Sequence, residues 1–275
     1  MSPRPPIVSG VSQPSNSSRA RDGVANRSAG LSRIVLATAI ATVVLLAPAL
    51  AAWVADWQWA PENKSWVSVA VIVTDTAGFP FAIATCAALA ALFVLLIKPS
   101  WPRGALMVVL LCAAAVCGGQ IVKTVLKNLF QEPRPYVEWL AQNHGLKSEQ
   151  FYAMMRGERA EWLRENIAAD PRVPEALREH WEAETGYSFP SGHTAFVAVW
   201  ALLGVTLLWR RGWGGRVCCC ALVAWALLVE ITRLALGMHW PGDVAAGVLL
   251  GWVVVAGLVA VCRNRMTPPA GRAGS

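Results

Sequence analysis

Apolar and polar positions along this chain are segregated into long blocks rather than interleaved. Stretches without Asp, Glu, Lys or Arg run 34–55, 76–97, 104–122 and 244–262, each close to the ~20 residues that cross a hydrocarbon core as a helix. A fifth, 194–209, is shorter but continues an uncharged run from residue 186. A sixth, 217–236, carries Glu230 and Arg233 only toward its far end. None shows the charged face of a helix lying on a soluble core. The pattern predicts an all-α protein built as a six-helix transmembrane bundle. Between the third and fourth spans lies a long polar stretch, 131–189. Its apolar positions at Phe151, Met154, Met155, Trp162 and Leu163, interrupted by Pro171 and Pro174, predict two or three short amphipathic helices. Residues 1–30, rich in Ser, Arg, Pro and Gly, read as a disordered tail, 31–265 as the membrane domain, and 266–275 as a second tail. No strand pattern or internal repeat stands out.

Composition and charge then set the surroundings. The chain of 275 residues is 55% hydrophobic and only 15% charged, which excludes an ordinary soluble domain. Its net charge of +7 is read as topology, not as a nucleic-acid partner. Arg19, Arg21, Arg27 and Arg33 precede span one, and Lys98 and Arg103 separate spans two and three. Arg210, Arg211 and Arg216 separate spans four and five, while Arg263, Arg265 and Arg272 follow span six. Basic loops mark the cytoplasmic side, so both termini are expected inside and 131–189 outside. A cleaved signal at Ala49-Leu50-Ala51 is the rival reading of span one. Trp53, Trp57, Trp59 and Trp66 cluster after that span, as an interfacial aromatic belt would. The seven cysteines (86, 112, 117, 218, 219, 220, 262) fall in spans or near their inner ends, so no disulfide framework is implied.

Three polar blocks at the outer ends of spans carry the chemistry. In the third, His239 and Asp243 are four residues apart, with Pro241 suited to the first turn of a helix. The carboxylate can hold one imidazole tautomer and leave the other nitrogen free to attack. In the second, Ser191, Gly192 and His193 open span four. A helix N-terminus seats a phosphate, glycine lets the backbone approach it, and His193 can donate a proton to a leaving oxygen. The first block supplies Lys127 and Arg134, joined by Arg233 at the end of span five. Three cations at a bilayer boundary are costly without an anion among them, and arginine's fork fits phosphate oxygens. This inventory suits breaking a P–O bond with neither a metal nor another cofactor. Each block has a bland reading by itself: an interfacial histidine, a Pro-Ser-Gly turn, snorkelling side chains.

Taken together, K-x6-R-P, P-S-G-H and [S/T]-R-x5-H-x3-D, in this order, resemble the signature of the type 2 phosphatidic acid phosphatase superfamily, which also contains bacterial acid phosphatases and vanadium haloperoxidases. The resemblance covers about residues 31–265. The wording Q-E-P-R-P (131–135), E-T-G-Y-S-F-P-S-G-H-T (184–194) and L-G-M-H-W-P (236–241) is similar to its bacterial phosphatidylglycerophosphate phosphatase B group. It implies a bacterial inner-membrane enzyme whose site faces the periplasm. His239 would be the nucleophile, Asp243 its partner and His193 the proton donor, with Lys127, Arg134, Ser191, Gly192 and Arg233 binding phosphate. Its substrates would be lipid phosphates such as phosphatidylglycerophosphate and undecaprenyl diphosphate, with phosphatidic acid and related lipids as further candidates. Thr232 departs from the usual serine but keeps a hydroxyl.

Rival functions are a lipid phosphotransferase, which the motif does not separate from a hydrolase, and a six-span transporter, which predicts charge at the bilayer centre. The sequence says nothing of oligomeric state. Glu230 is expected either to pair with a site cation or to form a structural ion pair. Asp75 is a weaker functional candidate, and His144 and His180 are expected to be solvated.

Overall fold

The computed structural model describes residues 16–61, 64–99 and 102–266. Within these the chain is helical, with no strand: α1 (Asn16–Val54), α2 (Trp66–Asp75), α3 (Phe81–Ile97), α4 (Pro102–Phe130), α5 (Pro135–Asn143), α6 (Ser148–Ala153), α7 (Arg156–Ile167), α8 (Glu175–Ala183), α9 (Gly192–Leu208), α10 (Gly212–Ala235) and α11 (Pro241–Met266). Helix α1 begins inside the segment read as a tail. Residues 1–15 and the second expected tail, from 267, lie outside the described residues.

Helix α9 is the axis of the bundle. It packs against α10, α11, α4, α1 and α3, and every residue from Thr194 to Val205 is buried. A helix apolar all round belongs at such a centre. The outer helices show the reverse of a soluble surface, since Leu36, Val43, Leu95, Met107, Ile121, Leu228 and Val253 are exposed. An apolar shell of this extent is stable only against lipid. By length and apolarity four helical stretches can cross a membrane, within 33–54, 102–143, 212–235 and 241–262, and α2, α3 and α9 are shorter apolar helices.

Two expected spans differ in extent. The second, 76–97, does not begin as helix: residues 76–80 form a turn, and α3 starts at Phe81. Pro80 restricts the residue before it, and Gly78 permits the tight approach found there. The third continues past its apolar run, because Lys123 and Lys127 are good helix formers, and α4 extends to Phe130.

The polar stretch holds four helices, α5 to α8, rather than two or three. They share a second core in which Tyr136, Leu140, Phe151, Leu163, Ile167 and Trp181 are fully buried beside Leu236 and Met238. Met155, expected on an apolar face, is instead 72% exposed. Trp59 is turned inward, edge-on to Trp181. Its indole donates to the Ala235 carbonyl (2.8 Å), as that of Trp181 does to Leu236 (3.1 Å). Gly237, at φ +69°, lies flat against Trp59, where a Cβ would come within 2.5 Å of the ring. Orphan carbonyls at the end of α10 are thus capped by two indoles, one from the α1–α2 connection and one from α8. No cysteine is in a disulfide.

Candidate active site

The end of α10, the start of α9 and the start of α11 are tied by backbone bonds. Met238 and His239 donate to the Arg233 carbonyl (3.1 and 3.3 Å), and Ser191 N–H donates to the Asp243 carbonyl (3.1 Å). Ser191 is the N-cap of α9, its hydroxyl accepting from Thr194 N–H at 3.3 Å. The same junction is tight elsewhere, since a Cβ at Gly247 of α11 would come within 2.8 Å of the Ser191 carbonyl. The Trp240 indole donates to the Pro133 carbonyl beside Arg134 (2.9 Å), so all three sequence blocks meet at one end of the bundle.

His239 and Asp243 are each 1% exposed. Nδ1 of the imidazole lies 3.3 Å from the carboxylate, which also accepts the Trp240 N–H at 2.8 Å. That contact assigns the proton to Nδ1 and leaves Nε2 with its lone pair. Burial, then the nearby charges of Arg233, Arg134 and Lys127, hold the His239 pKa well below its ordinary value. The imidazole is therefore neutral at physiological pH.

Around this pair stand the cations. Lys127 at the end of α4 donates to the Tyr187 carbonyl and, at 3.4 Å, to that of Ser188. Arg134, the N-cap residue of α5, is 3% exposed. Its Nε donates to the Gly186 carbonyl (2.6 Å) and its Nη1 to Glu184 (3.2 Å), while its backbone N–H bonds the Tyr152 hydroxyl. Arg233 is fully buried and donates to both oxygens of Glu184, Nη1 to Oε1 at 3.2 Å and Nη2 to Oε2, which Arg134 also holds, at 2.7 Å. His193 Nε2 lies 3.4 Å from the same carboxylate, without hydrogen-bond geometry.

Glu184 is thus the hub that the sequence reading left without a role. Burial would raise its pKa, but Arg233, His193 and Arg134 outweigh that and hold it well below the usual carboxylate range. Its two oxygens lie between two guanidiniums and a histidine, a setting suited to any anionic oxygen pair.

His180 is a second correction. It is 5% exposed rather than solvated, with Nε2 3.0 Å from Arg233 Nη1 and Nδ1 3.7 Å from Asp75. Burial and then the charge of Arg233 lower its pKa to about 4. His144 is also partnered, 3.1 Å from Asp170. Leu177 and Trp181, four residues apart with His180 on the same face, were the sequence signal that could have placed His180 inward, and all three are buried in α8. Glu230 is fully buried, and neither carboxylate oxygen has a hydrogen-bond partner among the described residues, so the expected ion pair is not formed. The Thr232 hydroxyl is committed to the Val229 carbonyl of its own helix (2.7 Å).

A cavity of about 350 Å³ opens beside the site between α3 and α4, lined by Gly78, Phe79, Ile83, Lys123, Gly192 and His193. Gly192 is pressed against Lys123, whose Cδ would lie 2.6 Å from a Cβ there, and Gly78 faces His193 Nε2 at 2.8 Å in the same sense. Mostly apolar walls with a cation and a histidine at one end suit an amphiphile.

Comparison with known proteins shows the family of the chain. The PAP2 superfamily model matches residues 106–267, which enclose all three blocks. Phosphatidylglycerophosphatase B of Escherichia coli (strain K12) is 38% identical over 237 residues, covering 85% of this chain and 92% of that protein. The Haemophilus influenzae protein of the same name is 35% identical over 210 residues, covering 74% of this chain and 85% of that one. An undecaprenyl-diphosphatase of Sulfolobus acidocaldarius is 40% identical over 77 residues, 25% of this chain and 31% of that protein. The chain belongs to the PAP2 superfamily.

Proposed function

We propose that this lipid phosphatase removes phosphate from membrane lipids through a phosphohistidine on His239. The observation that carries the reading is the buried His239–Asp243 pair set among Lys127, Arg134 and Arg233, beside a cavity walled by α3 and α4. Nε2 of His239 attacks phosphorus in line with the leaving oxygen. The P–O bond to the lipid breaks, and His193 gives that oxygen a proton. Water then attacks the phosphohistidine, with His193 accepting the proton, and inorganic phosphate leaves. The cations and the N–H groups in the first turn of α9, at Gly192 and His193, hold the phosphoryl oxygens as charge develops, with Ser191 capping that turn. Glu184 neutralises the arginines in the empty site, and the phosphate dianion takes its place.

Phosphatidylglycerophosphate and undecaprenyl diphosphate are the substrates of choice, in keeping with the names of the relatives. The acyl or prenyl chain lies in the cavity between α3 and α4. Six crossings, by α1, α3, α4, α9, α10 and α11, put both termini in the cytoplasm and the site at the periplasmic face of the inner membrane. The basic residues between α3 and α4 and between α9 and α10 support that orientation. The test is phosphate release by the purified protein from lipid mono- and diphosphates with EDTA present, with product analysis in the presence of lipid acceptors. Release from both substrates to water, lost in His239→Ala, is expected. No release from any lipid phosphate, or retention of activity in that variant, overturns the reading.

A further inference from the structure

Arg233 is fully buried, and its two edges are treated differently. By convention Nη1 lies on the Cδ side of the guanidinium, so Nε and Nη2 share the opposite edge. Nη1 donates to the Thr74 hydroxyl at 3.1 Å and sits 3.0 Å from His180 Nε2. Arginine has no acceptor, so the imidazole must accept there and carry its proton on Nδ1, the nitrogen that faces Asp75 at 3.7 Å. A neutral His180 suits that role, in line with its lowered pKa. On the other edge, Nη2 meets Glu184 at 2.7 Å, and Nε, buried, has no hydrogen-bond partner among the described residues.

The count of hydrogens makes this arrangement directional. Nη1 has two, and three neighbours compete for them: Thr74, His180 and Glu184 Oε1 at 3.2 Å. Once a phosphate displaces Glu184, Thr74 and His180 satisfy Nη1 one hydrogen each. The Nε–Nη2 edge then remains, with parallel N–H groups, for two oxygens of one phosphate.

We infer that His180, oriented by Asp75 and acting with Thr74, is a positioning residue that locks Nη1 of Arg233 and turns the Nε–Nη2 edge toward the phosphate. This inference rests on the phosphatase reading and on Arg233 as a phosphate ligand within it. Neither His180 nor Thr74 touches the reacting atoms. Their part is to fix the plane of a guanidinium whose bidentate contact depends on that plane.

The experiment uses the full chain in lipid nanodiscs, with orthovanadate as the phosphate probe. His180→Leu should raise the half-inhibitory vanadate concentration about tenfold, the scale of one hydrogen bond to a charged group. His180→Gln, whose amide oxygen can accept from Nη1, should stay within about threefold of the native protein. Thr74→Val keeps the shape, removes the other acceptor, and should raise that concentration about fivefold, which carries the test if His180→Leu does not fold. In an Arg233→Ala background, His180→Leu should add nothing further. An unchanged vanadate response in folded His180→Leu or Thr74→Val, or an additive loss in the Arg233→Ala background, overturns the positioning role. If Arg233→Ala by itself leaves vanadate inhibition unchanged, the phosphate-site reading falls and this inference with it.

Discussion

Glu184→Gln should tighten phosphate binding while weakening the fold, two effects of opposite sign from one charge. The carboxylate receives three bonds from arginines, one from Arg134 at 3.2 Å and two from Arg233 at 3.2 and 2.7 Å. Each charge-assisted bond is worth about 1.5–3 kcal/mol net. The side chain is 22% exposed, so solvent recovers part of this, and a phosphate must break only the portion that the charge adds over a neutral amide. A working figure of about 2 kcal/mol follows, which corresponds to roughly thirtyfold. The half-inhibitory vanadate concentration should therefore fall by about ten- to thirtyfold in the variant. Two guanidiniums left without their counter-charge cost about the same 2 kcal/mol in the empty protein, lowering Tm by roughly 4–8 °C. The pH dependence has a definite sign. The folded-state pKa of Glu184 lies below its ordinary 4.5, so its stabilisation is complete above that value and is lost as pH falls through the depressed folded value. The native protein should lose Tm over that acid window more steeply than Glu184→Gln. Vanadate titration of phosphate release, with thermal unfolding of the empty protein between pH 3 and 7, measures both effects. Weaker or unchanged vanadate inhibition in a folded Glu184→Gln variant would refute the idea that this carboxylate occupies the anion seat.

Three other outcomes are expected. His239→Ala should abolish turnover together with the acid-labile phosphoenzyme, and labelled phosphate trapped on that variant by rapid quench would remove His239 as nucleophile. His193→Ala should slow phosphoenzyme formation by about 10²–10⁴-fold on a lipid monophosphate, whose alkoxide needs a proton, and by less on a lipid diphosphate; equal losses on both in that step would mean that His193 binds phosphate rather than donating a proton. Single cysteines at Gly145 and Gly214, in a background without native cysteines, should differ in labelling by an impermeant maleimide on intact spheroplasts, and equal labelling would overturn the six-crossing topology.

What the sequence made legible was local. His239 and Asp243 sit one helical turn apart, and Ser191, Gly192 and His193 fall where a Pro-Ser pair starts a helix, so their geometry follows from spacing. Glu184 was not legible as a site residue, because its partners Arg134 and Arg233 are each about fifty residues away in sequence; the spacing of Leu177 and Trp181 could turn His180 inward but not set it against Arg233. Hydropathy found the lipid-facing helices but not their ends. The break at residues 76–80 is apolar, and α4 continues as helix after its apolar run has stopped. Glu230 shows the limit in another way. Its charge predicted a partner, and the fold buries it fully without a hydrogen bond among the described residues.

The bond from Ser191 N–H to the Asp243 carbonyl sets an order on biosynthesis. Helix α9 emerges from the ribosome before Asp243, the acceptor for its N-cap N–H, exists, and at about 5–20 residues per second that residue follows some 3–10 s later. During this interval the membrane holds α9 with its N-cap N–H unpaired and the cations Lys127 and Arg134, but not His239. Glu184, made just before α9, is already there to balance Arg134 and then Arg233 as α10 arrives. The carboxylate that the proposed mechanism has phosphate displace is thus also the counter-ion available to a half-built site while it waits for its last helix.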